Sequence, residues 1–189
     1  MTYRSWIRVA LAPAVLAAAA AWAPPASAGV KDEMMTWLKD ADGKLVQLAE
    51  AIPDAKYDWR PGKGVRSTGE VFMHVAAANY GLPGFAGIAP PAGFKFDTFE
   101  QSQTKKADIV RTLKESIAHM EAGLQKMSDA DMEKPVDLFG TKTTARGAYM
   151  LLLSHAHEHL GQAIAYARSN EVVPPWTAAQ KAPKTETKN

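Results

Sequence analysis

Residues 144–168 read TARGAYMLLLSHAHEHLGQAIAYAR, and the apolar side chains of this segment recur at steps of three and four residues. That spacing is the period of an α-helix with one buried face. Asn170 and the pair Pro174–Pro175 follow the segment and are residues that end helices. The segment therefore predicts a helix from about Thr144 to Arg168. Its buried face carries Tyr149, Leu152, Leu153, Ala156, Leu160, Ala163, Ile164 and Ala167.

Three segments upstream show the same helical period. Ser67 and Glu70 have the spacing of a capping box, which predicts that the second helix opens at Ser67. The predicted helices run from Val30 to Ile52, from Ser67 to about Tyr80, and from about Thr104 to Met127. No segment shows a convincing two-residue alternation, so the sequence predicts an all-α protein, a four-helix bundle.

The same period predicts which side chains of the first and third helices are buried. In the first helix these are Met34, Trp37, Leu38, Leu45, Leu48 and Ile52. In the third helix they are Val110, Leu113, Ile117, Met120, Leu124 and Met127.

The segments between the predicted helices differ in character. Residues 82–103, between the second and third helices, are rich in Gly, Pro and Phe, which predicts a loop that packs on the bundle. Residues 136–141 could form a short hairpin arm. Residues 177–189 are rich in Lys, Thr, Ala and Pro, which predicts a flexible tail. The bundle itself is therefore expected to occupy residues 29–176.

The first 28 residues have the three parts of a secretory signal peptide. Two arginines precede an apolar stretch at 9–23, and the tripeptide Ala-Ser-Ala ends at residue 28. An uncleaved anchor is the alternative, but the stretch contains Pro13 and is shorter than the ~20 residues that span a bilayer. We therefore expect cleavage after Ala28, a periplasmic or secreted protein, and no stable membrane anchor afterwards.

Composition excludes several classes of function. The 189 residues contain 22 Lys and Arg against 20 Asp and Glu, with no block of like charge, so nucleic acid is not an expected partner. Removal of the signal peptide takes away two arginines and leaves equal numbers of basic and acidic residues. The chain has no cysteine, which excludes disulfides, thiolate nucleophiles, iron–sulfur clusters and Cys-based zinc sites. A metal would need His, Asp or Glu ligands.

Three histidines form the candidate metal site. His155 and His159 are four residues apart, so they differ by only about 40° around their helix and project from one side. His74 lies at the matching edge of the second helix, and three imidazoles would suit Zn²⁺, Ni²⁺, Fe²⁺ or Cu²⁺ with one position left open. Spacing alone also allows ordinary core histidines. His157 is expected to face outward, and His119 is expected to be solvated.

Glu70 admits two interpretations. It lies one turn before His74 and could orient that imidazole or serve as a base, which makes it a weak candidate catalytic residue. The capping box with Ser67 already explains it and is the favoured interpretation. The sequence has no Gly-x-Ser-x-Gly, no phosphate loop and no His-Glu-x-x-His.

A set of short motifs in this order resembles the DinB-like superfamily of four-helix bundles. They are Trp59-Arg60-Pro61, Ser67 with Gly69-Glu70, His74-Val75-Ala76, His155 to His159 running into Leu160-Gly161-Gln162, Tyr166-Ala167-Arg168, and Val173-Pro174-Pro175-Trp176. The resemblance spans nearly the whole mature chain. It implies a divalent metal held by His74, His155 and His159, and it implies a homodimer, since members are often dimers.

The resemblance leaves the activity open, because relatives include hydrolases, isomerases and transferases that use small thiols. One hypothesis is a metal-dependent hydrolase of a small substrate, in which the ion activates a bound water. A second is a non-catalytic module that grips a ligand with the ion and the segment around Phe85, Phe94, Phe96 and Phe99. A thiol-dependent transferase is a third, less compatible with an oxidising exterior. Metal occupancy should fall as the pH drops through roughly 6 to 7.

Overall fold

Four long helices form the body of the protein, as the sequence predicts. The computed structural model describes residues 29–181, so the predicted signal peptide and residues 182–189 lie outside the described residues. The long helices are α1 (Val30–Ala51), α2 (Thr68–Gly81), α4 (Lys106–Lys126) and α6 (Ala145–Ser169). Within residues 29–181, none of the helices combines the length and apolar character that crossing a bilayer requires.

Shorter elements lie between the long helices or, in the case of α7, follow the last of them. They are α3 (Phe96–Phe99), α5 (Asp129–Met132), β1 (Pro135–Leu138), β2 (Thr141–Thr144), α7 (Pro175–Lys181), and 3-10 turns at Asp54–Lys56 and Leu82–Ala86. The hairpin arm is present with wider bounds than expected, and β1 pairs antiparallel with β2. Residues 177–181 were expected to fray but are helical in α7, because Pro174 supplies carbonyl oxygen to the amides of Thr177 and Ala178.

Two adjoining apolar clusters fill the bundle. One lies around Leu45, Leu48 and Phe72, the other around Leu38, Met120 and Tyr149. Nearly every residue of α2 is buried, because α4, α6 and the 3-10 turn at Leu82–Ala86 surround it. His74 is one of the few residues of α2 that stay partly exposed.

The predicted buried faces of α1 and α4 are wrong in detail. Trp37 was expected in the core but its side chain is 57% exposed, because the buried face of α1 turns toward Leu38 and Ala41 instead. In α4, Val110 and Ile117 are only partly buried, whereas Ser116 and Gly123 lie inside. Small residues permit close helix contacts that a pattern of large apolar side chains does not reveal.

Candidate metal centre

Three imidazoles meet between α2 and α6. The ring centroids of His74 and His155 are 4.9 Å apart, those of His74 and His159 are 4.6 Å apart, and those of His155 and His159 are 4.3 Å apart. One nitrogen from each ring lies within 4.8 Å of the others. The structure therefore brings together the three residues that the sequence predicts as ligands.

The spacing of these nitrogens fits a shared ion. Nε2 of His74 and Nε2 of His155 lie 3.1 Å apart. Two imidazole nitrogens on one tetrahedral zinc ion, each at ~2.0–2.1 Å, would be about 3.3 Å apart. Three ligands of this kind leave one tetrahedral position open for water or substrate.

Glu100 orients His74 from the far side of the ring. Nδ1 of His74 lies 2.5 Å from Oε1 of Glu100. Arg66 donates to both oxygens of the same carboxylate, at 2.8 and 3.1 Å. An ionised carboxylate only accepts, so Nδ1 of His74 carries the proton and Nε2 presents its lone pair. This is the arrangement in which a carboxylate fixes the tautomer of a metal-binding histidine.

Gln162 orients the imidazole of His159 as Glu100 orients that of His74. Nδ1 of His159 donates to Oε1 of Gln162 at 2.8 Å, and Nε2 of Gln162 donates to the hydroxyl of Tyr166 at 3.1 Å. That hydroxyl in turn donates to the backbone oxygen of Arg66 at 3.2 Å. A chain of hydrogen bonds thus joins α6 to the residue that leads into α2.

Local backbone structure fixes where α2 begins. Ser67 accepts from the amide of Glu70, and Glu70 Oε2 accepts from the amide of Ser67 at 2.7 Å, which completes the predicted capping box. Gly69 is closely packed, because an added Cβ would lie 3.0 Å from Cδ1 of Ile109 and 3.3 Å from the ring of Tyr57, so these neighbours would have to shift slightly. The cap places Arg66 one residue before Ser67, where its side chain reaches Glu100.

Burial and neighbouring charge favour the neutral form of His155 and His159. Burial, with the nearby His159 and His74, lowers the pKa of His155 to about 3. Burial also lowers the pKa of His159, although the bond to Gln162 opposes it. Burial would raise the pKa of Glu100, but hydrogen bonds from Arg66 and His74 outweigh it and hold the pKa below its usual value. A metal requires neutral imidazoles, so His155 and His159 are in their ligating form at neutral pH.

The carboxylate of Glu70 is engaged by other groups. One oxygen accepts from the Ser67 amide and the other from Arg60 Nη2 at 3.2 Å. The bond to Ser67 is the main cause that lowers the pKa of Glu70. The favoured interpretation of Glu70 as a cap is therefore confirmed, and the structure assigns the orienting role at His74 to Glu100.

The remaining two described histidines lie outside the cluster. His157 is exposed, as expected, and its Nδ1 donates to the backbone oxygen of Leu153 at 2.9 Å. His119 was expected to be solvated, but it is half-buried with its ring centroid 5.3 Å from that of Tyr80. Its Nε2 is buried without a hydrogen-bond partner among the described residues.

Sequence reasoning missed Glu100 and Gln162. Glu100 lies 26 residues after His74, in a Gly/Pro/Phe-rich segment that has no regular period. No spacing rule connects residues across such a segment. Gln162 follows His159 by three residues on one helix, and this i,i+3 relation is a signal that could have found it.

Several solved protein structures have a fold similar to that of this chain. A DinB-like protein from Bacillus cereus is 18% identical, with a TM-score of 0.64, and the match covers 74% of this chain and 93% of that one. YfiT from Bacillus subtilis, called a probable metal-dependent hydrolase with an unusual four-helix bundle topology, is 17% identical with a TM-score of 0.62. That match covers 80% of this chain and 95% of YfiT.

A mycothiol-dependent maleylpyruvate isomerase shares the fold with a TM-score of 0.57 at 13% identity. The match covers 69% of this chain but only 59% of the isomerase. No curated protein matches the sequence. The sequence model of the DinB superfamily matches residues 38–163, a range that contains all three clustered histidines. The chain therefore belongs to the DinB superfamily.

Proposed function

We propose that this protein holds one divalent transition metal, Zn²⁺, Ni²⁺ or Fe²⁺, on His74, His155 and His159 and hydrolyses a small substrate. The observation that carries the proposal is the convergence of three imidazoles whose nitrogens lie within 4.8 Å of one another. Such an ion, with a position left open, would supply Lewis-acid activation of water or of a carbonyl or phosphoryl oxygen.

The chain's own residues prepare the site before any ion arrives. Glu100, held by Arg66, fixes the tautomer of His74, and Gln162 does the same for His159. Preset tautomers and orientations lower the cost of ordering the ligands when an ion binds. The relative YfiT, called a probable metal-dependent hydrolase, supports a hydrolytic function.

Two other functions compete with hydrolysis. A non-catalytic metal and ligand module is favoured by the engagement of two carboxylates near the cluster, since Glu70 binds Ser67 and Arg60 while Glu100 binds His74 and Arg66. Neither carboxylate is free to act as a base. A thiol-dependent reaction is supported by the mycothiol-dependent isomerase that shares the fold.

A turnover screen separates the three functions. Protein made without a histidine tag and loaded with Zn²⁺, Ni²⁺ or Fe²⁺ is tested against ester, amide and phosphate substrates, with and without a small thiol. Hydrolysis requires turnover without thiol that disappears in His74→Ala and persists in His157→Ala, because His157 is exposed and outside the cluster. Turnover only with thiol would favour the transferase. No turnover of any substrate, together with a melting temperature that rises when a ligand is added, would favour the binding module.

We further propose that the protein is exported to the periplasm or beyond and works as a homodimer. Export is supported by the three-part signal in residues 1–28, and it predicts a mature chain that starts at Gly29. The mass of protein recovered from the native host's envelope or medium tests this, and an intact N-terminus on a membrane-bound species would contradict it. Sedimentation of the mature protein tests the dimer.

A further inference from the structure

An apolar cavity lies at the C-terminal end of α2, outside the metal centre. Its volume is about 370 Å³, and none of the side chains that line it is charged. The residues that form its walls are chiefly aromatic: Leu82, Phe85, Phe94, Phe96 and Phe139. The three clustered histidines do not line it.

The close packing at one wall depends on Gly81. A Cβ added at this position would lie 2.8 Å from Cδ2 of Phe96, a distance too short for two carbon atoms. The ring of Phe96 therefore packs against the backbone of Gly81, the last residue of α2. Phe96 is still 48% exposed. The ring of Phe94 stands nearly perpendicular to it, with centroids 6.1 Å apart.

Another wall comes from the tip of the hairpin. Leu138 pairs with Thr141, so Phe139 and Gly140 form a two-residue turn. Both have positive φ, 53° and 86°, which is the pattern of a type I′ turn. Such turns favour Asn-Gly or Asp-Gly, and a bulky side chain with positive φ is a genuine outlier.

Turn chemistry does not explain a phenylalanine at position 139, and the aromatic contact that its ring makes is with Phe85. Its side chain is 71% exposed, so burial contributes little, and its ring meets that of Phe85 with centroids 4.9 Å apart. Asp137 accepts a hydrogen bond from the Gly140 amide and so supports the turn, but that bond does not depend on the side chain at 139. An unfavourable conformation that keeps an aromatic ring exposed beside a cavity is a reason to infer function.

We propose that this cavity binds a small, uncharged molecule with an aromatic ring, and that Phe139 forms the wall that completes the site. The volume lies within the roughly 300–1,000 Å³ of small-molecule pockets. Perpendicular and offset rings at these distances are the geometry in which aromatic groups attract one another.

The test uses the neutral fluorescent probe N-phenyl-1-naphthylamine and metal-free full-length mature protein. The expected result is saturable binding of one probe per chain that Phe139→Asn weakens by about tenfold or more, since the ligand loses an aromatic neighbour and its apolar contact. Met150→Ala is the matched control, because Met150 is also exposed, at 58%, but does not line the cavity. Met150→Ala should bind the probe with the same affinity as the unaltered protein.

Stability measurements distinguish a ligand wall from a structural contact. Asn-Gly is a preferred type I′ pair, so Phe139→Asn should leave the urea midpoint unchanged or raise it while probe binding falls. A lower midpoint would mean that Phe139 serves the fold, and this would overturn the proposal. Phe96→Ala is a second variant, and full probe affinity in that folded variant would also overturn it.

Two further outcomes contradict the proposal. One is the absence of saturable probe binding to the unaltered protein. The other is a dimer that dissociates in Phe139→Asn without probe binding, which would make this face a contact between two copies of the chain. Because the probe binds metal-free protein, failure here is separate from failure of the hydrolase proposal.

Discussion

Glu100 is the residue whose role at the candidate metal centre is most open to a direct test. Its carboxylate accepts from Nδ1 of His74 and from Arg66. An amide at this position offers one oxygen in place of two charged ones, so it holds the imidazole less firmly. We expect Glu100→Gln to weaken metal affinity by about 10- to 100-fold, as measured by titration calorimetry.

Glu70→Gln is the matched control for this substitution. Glutamine can replace glutamate in a capping box, so the start of α2 should survive the change. Metal affinity should stay within about twofold of the unaltered protein, since Glu70 binds Ser67 and Arg60 and orients no clustered histidine. A larger effect from Glu70→Gln than from Glu100→Gln would reverse the roles assigned to the two carboxylates.

Asp42 is a buried acid with no hydrogen-bond partner for either oxygen among the described residues. Its side chain is 1% exposed, and burial, with the charge of Glu121, raises its pKa to about 7. The native state therefore keeps this proton up to a higher pH than the unfolded chain does. Its contribution to stability is fully present below about pH 4 and is lost as the pH rises toward and through 7.

Asp42→Asn removes this dependence because the amide is neutral at every pH. The free energy of unfolding of the variant minus that of the unaltered protein should be roughly 2–3 kcal/mol larger at about pH 8 than at about pH 5. Urea unfolding at the two pH values measures the difference. Asp40→Asn on the exposed side of α1 should show little change, and an equal gain there would contradict the assignment.

At the scale of elements, the capping box of α2 fixes the start of the helix that carries His74 of the candidate metal centre. Ser67 satisfies the Glu70 amide at the start of the helix that carries His74. We expect Ser67→Ala to lower the free energy of unfolding by about 1 kcal/mol, measured by urea denaturation. Ser128→Ala, at the similar box that opens α5, should cost a comparable amount without touching the metal centre. Stability unchanged in Ser67→Ala would contradict the importance of this cap.

Helices α1, α4 and α6 were predictable because each buries one face of a regular period, and the start of α2, which is buried on nearly every side, was predictable from its capping box. The same rule could not predict that Trp37 is exposed or that Ser116 is buried, since the faces shift when small residues allow helices to approach closely. His74, His155 and His159 were accessible to sequence reasoning through helical spacing and family resemblance. Glu100 was not, because only the path of an irregular segment brings it to His74.

At the scale of the whole molecule, a metal on these ligands would join α2 to α6. His74 comes from one helix and the other two ligands from the second, so an ion that binds only the folded chain stabilises the contact between them. Zn²⁺ at about 100 times Kd should raise Tm by roughly 5–10 °C. The same rise in His74→Ala would show that zinc acts elsewhere.

The metal content of protein made without a histidine tag tests the central claim most directly. Elemental analysis should find about one equivalent of a divalent transition metal per chain. The metal should be lost in His155→Ala and His159→Ala and kept in His157→Ala, because His157 is exposed and lies outside the cluster. Protein that takes up no transition metal even after reconstitution, or that loses it equally in His157→Ala, would contradict this account.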